Sequence, residues 1–167
     1  MLEFPREVES VLAGFLCCEV ATVAKDGMPL TWPAVPLWLP RRGQVVLSTS
    51  IGFAVKAANV RRDPRVSLLF SDATGSDLQA PGAVLVQGTA VASPRVETWT
   101  PDLDAHWQRV RAVQPASRWF ASTAPARWFM DWYYMRLLIH VTPVRVLWWP
   151  DRSMLGQPRQ WQESDVG

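Results

Sequence analysis

The sequence has 167 residues, of which 49% are hydrophobic and 19% are charged, and its formal net charge is +2. A chain of this length and composition folds into a globular domain with a sizeable core, so we expect a single domain over residues 1–167. The net charge is too close to zero to predict a surface for nucleic acid or anionic lipid, so neither nucleic acid nor a membrane is an expected partner. The ten tryptophans predict more buried surface than one small core requires.

The N-terminal region predicts a soluble, cytoplasmic protein. Glu3, Glu7 and Glu9 interrupt any secretory signal, and no apolar run approaches the roughly 18 residues of a membrane span. Cys17 and Cys18 are adjacent, and neighbours on a strand point to opposite faces, so a disulfide between them is disfavoured. Because neither has Cys-x-x-Cys spacing, no metal site is expected, and both cysteines are predicted to be reduced, buried thiols.

Most of the predicted elements along the chain are strands, and helices are expected in three places. Residues 5–14 combine an early proline, early acidic residues and an apolar face, which predicts a short helix. A second helix is expected after residue 52, where apolar residues change to helical spacing, and helical patterns return over residues 94–134. Turn residues at 25–27 and 41–43 separate the early strands. Strands are expected at residues 17–24, 30–39, 44–49, 65–71, 83–93 and 136–149.

Three features interrupt these strands. Pro33 and Pro36 lie in the second strand, and proline cannot donate to a ladder, so this strand has an unpaired side or a bulge. Gly88 predicts a bulge or a sharp bend in the fifth strand, and Thr142-Pro143 is expected to interrupt the last one. About six short-turned strands with a helical insert near residues 95–134 predict a mainly β fold, a closed or split antiparallel barrel.

The segment over residues 48–59 carries the most chemistry. A strand ends in Ser48, Thr49 and Ser50, and a helix begins after Gly52 with Lys56 about one turn in. Hydroxyls, free backbone N–H groups, a helix N-terminus and a lysine together favour an anion such as a phosphate monoester. It is not a Walker loop, since the lysine does not follow a glycine-rich run. The alternative is that Ser50 only caps the helix and Lys56 is a solvated surface residue.

These residues also resemble a known family, the pyridoxamine-5′-phosphate oxidase-like split barrels. The resemblance rests on Val-Val-Leu-Ser-Thr-Ser at residues 45–50, on Lys56 and Asn59, and on Arg-Arg-Asp-Pro-Arg-Val-Ser-Leu at residues 61–68. Val-Thr-Pro-Val-Arg-Val at residues 141–146 is similar to the last strand of that family. The resemblance spans about residues 4–149 and is weak over residues 94–134. It implies a six-stranded antiparallel split β-barrel with Greek-key connections.

The resemblance also implies a homodimer that holds FMN, or the deazaflavin F420, at the subunit interface. In this sequence it assigns the cofactor phosphate to Lys56 and the three hydroxyls, and it places the ring beside the proline-rich strand. The residues expected to bind the cofactor are Ser48, Thr49, Ser50, Lys56, Asn59, Pro33, Ala34, Val35 and Pro36.

Val55 departs from the family, because members often carry a basic residue just before the lysine. We therefore expect a second cation from elsewhere, either Arg61 or an arginine of a partner chain. Basic residues for a second phosphate, which the oxidase itself uses for its substrate, are not matched, so pyridoxamine-phosphate oxidase activity is not expected.

The two histidines and the aromatic insert leave alternatives open. His140 lies within the last predicted strand and is expected to be structural, with a heme ligand as the alternative. His106, next to Trp107, is expected to be exposed. Trp128 and Trp132 fall on one face of a predicted helix, which is either core or dimer contact or a lid over a flat, apolar substrate.

The sequence thus predicts an oxidoreductase that moves a hydride between FMN and a small, apolar molecule. No catalytic residue is assigned, which suits a flavin enzyme because the cofactor carries that chemistry. The alternatives are an F420-dependent reductase and a non-catalytic protein that binds flavin or heme.

Overall fold

Eight antiparallel strands form one sheet in the computed structural model, which describes residues 4–97, 100–113, 135–151 and 153–162. The sheet curls into a half-barrel, and this confirms the predicted split-barrel fold. The strands are β1 (Cys18–Val23), β2 (Pro29–Ala34), β3 (Leu37–Leu39), β4 (Gln44–Ser50), β5 (Arg65–Phe70), β6 (Ala83–Ala92), β7 (Arg136–Trp149) and β8 (Arg159–Gln162). The helices are α1 (Arg6–Gly14), α2 (Val55–Arg62) and α3 (Pro101–Val113), and a 3-10 turn at Ile51–Phe53 precedes α2.

The structure has two more strands than the six expected, and one of the two is β8, which follows the last predicted strand. The strand order is β2-β1-β5-β6-β7-β4-β3, with β8 paired to β7. The single strand expected over residues 30–39 is two strands, because the chain leaves β1 after Ala34 and joins β4 at Leu37. The unpaired side predicted for this region is confirmed, since β2 and β3 lie at opposite edges of the sheet. Because no described strand pairs with the outer side of β2, the missing N–H of Pro33 costs no ladder hydrogen bond on that side.

The bulge predicted at Gly88 is also confirmed. Gln87 pairs with Arg145 and Gly88 pairs with Pro143, so Val144 is an extra residue on β7. A Cβ at Gly88 would lie 2.2 Å from the carbonyl oxygen of Thr142, so only glycine allows the two strands to approach this closely. The expected interruption at Thr142-Pro143 is wrong, because the bulge accommodates the proline and β7 continues to Trp149.

The sheet separates two apolar clusters. The larger one fills the barrel and includes the buried face of α1, where Val8, Val11 and Leu12 meet the strands. The smaller one lies under α3 and consists of Val46, Leu103, Trp107, Val110 and Leu138. This second cluster fixes α3 against β4 and β7, next to the site described below.

The remaining predictions concern the two cysteines, membrane-spanning helices and the helical insert. Cys17 and Cys18 are both free, and burial raises the pKa of each thiol; Cys18 is buried as expected, whereas Cys17 is only partly buried. None of the helices among the described residues is long and apolar enough to cross a membrane. The helical insert begins with α3 as expected, but Trp128 and Trp132 lie outside the described residues.

Candidate functional site

One cavity of about 340 Å³ lies where three elements meet: the end of β2, the end of β4 with the start of α2, and the first residue of β7. Five of the nine residues that the sequence assigned to a cofactor line it, and four further residues complete the wall. The lining consists of Trp32, Pro33, Ser48, Thr49, Ser50, Phe53, Val55, Lys56 and Arg136. No carboxylate is among these residues.

The three hydroxyls at the end of β4 have different partners. Thr49 is buried, and its Oγ1 donates to the carbonyl oxygen of Phe53 at 2.7 Å, which fixes the turn before α2. The Oγ of Ser48 lies 2.7 Å from Nε2 of His106. Ser50 precedes the turn without a side-chain capping bond, so it does not serve as the helix cap considered in the sequence. A ligand can therefore receive a hydrogen bond from the hydroxyl of Ser50 and, where the ring proton of His106 is on Nε2, from that of Ser48.

Lys56 is a half-buried residue rather than a solvated one. Burial lowers the pKa of its ammonium group, and the positive charge of Arg136 lowers it further. The Nζ atom lies 5.8 Å from the centre of the Trp32 ring, a weak cation–π contact. No ion pair of Lys56 is found among the described residues. The ammonium group is thus held in a place where a bound anion would stabilise its charge.

Arg136 is the second cation of the site, and the sequence analysis did not identify it. It is the first residue of β7 and pairs with Ser50 across the sheet. Its guanidinium carbon lies 4.8 Å from the centre of the Trp107 ring on α3. Arg61, which was expected to fill this role, instead donates to the carbonyl oxygen of Ser93. A second cation thus reaches the cavity from β7 of the same chain, although Val55 is uncharged.

The prediction that His106 is exposed is wrong, because α3 turns it towards β4 and leaves only 3% of it exposed. Burial, and to a lesser extent the charge of Arg136, lowers its pKa from 6.5 to about 4. The Ser48–His106 pair has no third member of a hydrolytic triad among the described residues. Nδ1 of His106 has no hydrogen-bond partner in the described part of the chain, and an imidazole with so low a pKa is a weak base at neutral pH.

His140 lies on β7 away from the cavity, where it pairs with Val46 and Val91 in the sheet. It is half-buried, and burial lowers its pKa.

Four of the residues expected at the cofactor do not line the cavity. Asn59 is buried one turn after Lys56, where its Nδ2 donates to Oγ1 of Thr22 at 3.0 Å and its Oδ1 accepts from Arg62. Ala34 packs against the larger apolar cluster and Val35 against the smaller one, and Pro36 is buried between β2 and β3. Of the proline-rich strand, only Pro33 reaches the cavity, next to Trp32.

The sequence profile of the pyridoxamine 5′-phosphate oxidase family matches residues 4–129. The chain therefore belongs to this family, as the motifs at residues 45–70 indicated. No functionally curated protein matches the chain.

Solved structures show the same fold at low sequence identity. A conserved hypothetical protein from Mycobacterium tuberculosis is 22% identical with a TM-score of 0.61, over 95% of this chain and 91% of that one. An F420 reductase is 19% identical with a TM-score of 0.55, over 86% of this chain and 98% of that one. A heme-binding protein from Mycobacterium smegmatis is 20% identical with a TM-score of 0.58, over 96% of this chain and 60% of that one. One protein with this fold is thus named an F420 reductase, and another is named a heme-binding protein.

The lining residues fit a phosphate-bearing cofactor. Two cations, the hydroxyls of Ser48 and Ser50 and the start of a helix line one cavity that has no carboxylate among its lining residues. A phosphate monoester carries about 1.5 to 2 negative charges at neutral pH, which two cations balance.

Proposed function

We propose that this chain binds FMN, with the cofactor phosphate between Lys56 and Arg136, and that it moves a hydride between the flavin and a small, apolar molecule. The observation that carries the proposal is the pair of half-buried cations lining one cavity that no carboxylate of the described residues shares. The positive charge of Arg136 makes the charged form of Lys56 costlier, and an anion between the two cations would relieve this repulsion.

The ring system is proposed to lie along the outer side of β2. No strand of the described residues pairs with this edge, so its backbone groups are available to the polar edge of a flavin. Trp32 and Pro33 bring the same strand to the cavity. When bound, FMN supplies the hydride chemistry, and the residues of this chain bind and orient it.

The proposal includes a homodimer with the cofactor at the subunit interface. Phe53 and Val55 line the cavity, yet 78% of Phe53 and 53% of Val55 are exposed in the single chain. A cavity of about 340 Å³ is at the small end of the range for sites that enclose a ligand. A second copy over Phe53 and Val55 would bury this apolar surface and complete the site.

Two alternatives follow from the relatives. The F420 reductase favours a deazaflavin, whose phosphodiester carries a single negative charge and needs only one of the two cations. The heme-binding relative favours a non-catalytic carrier, for which the half-buried His140 is the candidate ligand.

Titration of the full chain with FMN, F420 and hemin tests the proposal. We expect FMN to bind at micromolar concentration with quenched flavin fluorescence, to a protein that sediments as a dimer. Arg136→Ala is expected to weaken FMN binding by about tenfold or more, the effect of one hydrogen bond to a charged group. Arg145→Ala is the matched control, since Arg145 is an exposed arginine of the same strand that bonds Gln160.

Each other outcome selects a different function. Binding of F420 but not FMN would favour the reductase, and a Soret band with hemin alone would favour the heme carrier. Failure of FMN and F420 to bind at micromolar concentration overturns the enzyme proposal.

A further inference from the structure

A buried hydrogen bond joins α3 to the anion site. Nε2 of His106 and Oγ of Ser48 lie 2.7 Å apart, although the two residues belong to different elements. The imidazole is held in place by its neighbours on α3, since Leu103, Trp107 and Val110 pack into the smaller apolar cluster. Ser48 lines the cavity that also contains Lys56. The histidine therefore touches the site through Ser48 and is not itself part of the cavity wall.

The positions of the two atoms allow two arrangements of the hydrogens. In the first, the Ser48 hydroxyl donates to Nε2, so that the serine turns only oxygen lone pairs towards the cavity, and the ring proton is on Nδ1. In the second, Nε2–H donates to Oγ, and the serine keeps its own hydrogen free to donate to a ligand. A neutral imidazole takes one arrangement or the other, and the low pKa of His106 keeps it neutral at neutral pH.

The surroundings favour the second arrangement. The first one buries an N–H at Nδ1, which has no partner among the described residues, and buried donors without a partner are rarer than acceptors without one. The cavity beside Ser48 also contains the cations of Lys56 and Arg136, so its occupant is an anion that needs donors. A lone pair directed at that anion would repel it, whereas a hydroxyl hydrogen would bind it.

We propose that His106 is a positioning residue: its Nε2–H donates to Ser48 Oγ and directs the Ser48 hydroxyl hydrogen at an anion held by Lys56 and Arg136. The inference rests on the proposed function, and it adds a positioning residue to the anion site of that function. The chemical class of the bound group is a phosphate monoester, and α3 contributes to its binding without touching it.

The tautomer of His106 is the first test. Nitrogen-15 NMR of the imidazole in the full chain distinguishes a protonated Nε2 from a protonated Nδ1. We expect the Nε2–H form without ligand, and we expect its signal to shift when inorganic phosphate is added. A protonated Nδ1 overturns the proposal whatever the protein binds.

The second test is a double-mutant cycle on FMN affinity. Ser48→Ala and His106→Phe are each expected to weaken FMN binding by about tenfold, and the double variant is expected to be no weaker than either one, because His106 acts through Ser48. His106→Gln, which keeps an N–H near the position of Nε2, is expected to retain affinity within about twofold. Thermal unfolding of each variant shows whether it is folded.

The two failures are distinguishable. If the wild type binds FMN and the losses from Ser48→Ala and His106→Phe add, His106 has a merely structural role and only the positioning inference is wrong. If neither FMN nor inorganic phosphate binds the wild type, the anion site is wrong and both proposals are overturned.

Discussion

The two ends of α2 use their charges in opposite ways. At the C-terminal end, Arg61 and Arg62 follow the direction of the helix dipole and donate to the backbone carbonyls of Ser93 and Val23. The residues just beyond pair as well, since Asp63 and Arg65 form an exposed ion pair. At the N-terminal end, Lys56 opposes the dipole, and its pKa is lowered by burial and, to a lesser extent, by the positive charge of Arg136.

From this difference we infer that Arg61 and Arg62 stabilise the fold, whereas Lys56 binds a ligand. A cation at the N-terminus of a helix, half-buried beside another cation, destabilises the empty protein. Such a local conflict between sequence and stability is typical of functional sites. The C-terminal end of α2 has no conflict of this kind, although Arg61 and Arg62 also belong to the family motif. We therefore expect changes at the two ends to separate ligand binding from stability.

The largest effect is expected from acid. Because the pKa of His106 is about 4 in the folded chain and 6.5 ordinarily, the unfolded chain takes up this proton first as the pH falls. The contribution of His106 to the free energy of unfolding is therefore complete above pH 6.5, and about 3 kcal/mol of it is lost as the pH falls towards 4. His106→Gln does not titrate, so its loss of stability over this range should be smaller by that amount. Chemical unfolding at several pH values measures the difference.

Other groups do not obscure this comparison. Asp63 and Asp151 have lowered pKa values and also favour unfolding in acid, but they are present in both proteins and cancel in the difference. Equal acid sensitivity of the wild type and His106→Gln would show that His106 is not held neutral beside the site.

The next effect is expected at Lys56. Lys56→Ala should weaken FMN binding by about 1.5–3 kcal/mol, the range for a hydrogen bond to a charged group, while the proposed dimer stays intact. The unfolding temperature should not fall, because the change removes a cation that Arg136 opposes. Isothermal titration and thermal unfolding of the same samples measure both quantities.

The only other lysine provides the control for this change. Lys25 lies in the exposed turn between β1 and β2, and Lys25→Ala should leave FMN affinity unchanged. Affinity should also decline in alkali as Lys56 loses its proton below its ordinary pKa of 10.5, and Lys56→Arg should move that decline to higher pH. If Lys56→Ala and Lys25→Ala bind FMN equally, the phosphate lies elsewhere.

The sequence predicts the part of the site whose residues lie close together along the chain. Ser48, Ser50 and Lys56 lie in one contiguous segment, so the strand end, the turn and the helix start bring them together without further information. Arg136 could not be found this way, because its place depends on the pairing of β7 with β4. Side-chain periodicity gives the two strands but not their register or their order in the sheet.

His106 is a different case, because a local signal was present. Leu103, His106 and Val110 fall at positions i, i+3 and i+7, which places the histidine on the apolar face of α3. Its burial could have been predicted from this spacing, but its contact with Ser48 could not. Asn59 shows the opposite limit: it lies one turn from Lys56 in the family motif, yet the helix turns it into the protein.

A change at Asn59 is expected to have the smallest effect, and it tests most sharply whether ligand binding and stability are separated along α2. Asn59→Ala removes the hydrogen bonds to Thr22 and Arg62 and should lower the free energy of unfolding by about 1 kcal/mol. Thr22→Val removes the same bond from the other side, so the double variant should lose less than the sum of the two. Neither change should alter FMN affinity when binding is measured well below the unfolding temperature. A loss of affinity as large as that of Lys56→Ala would contradict the separation, since both ends of α2 would then serve the ligand.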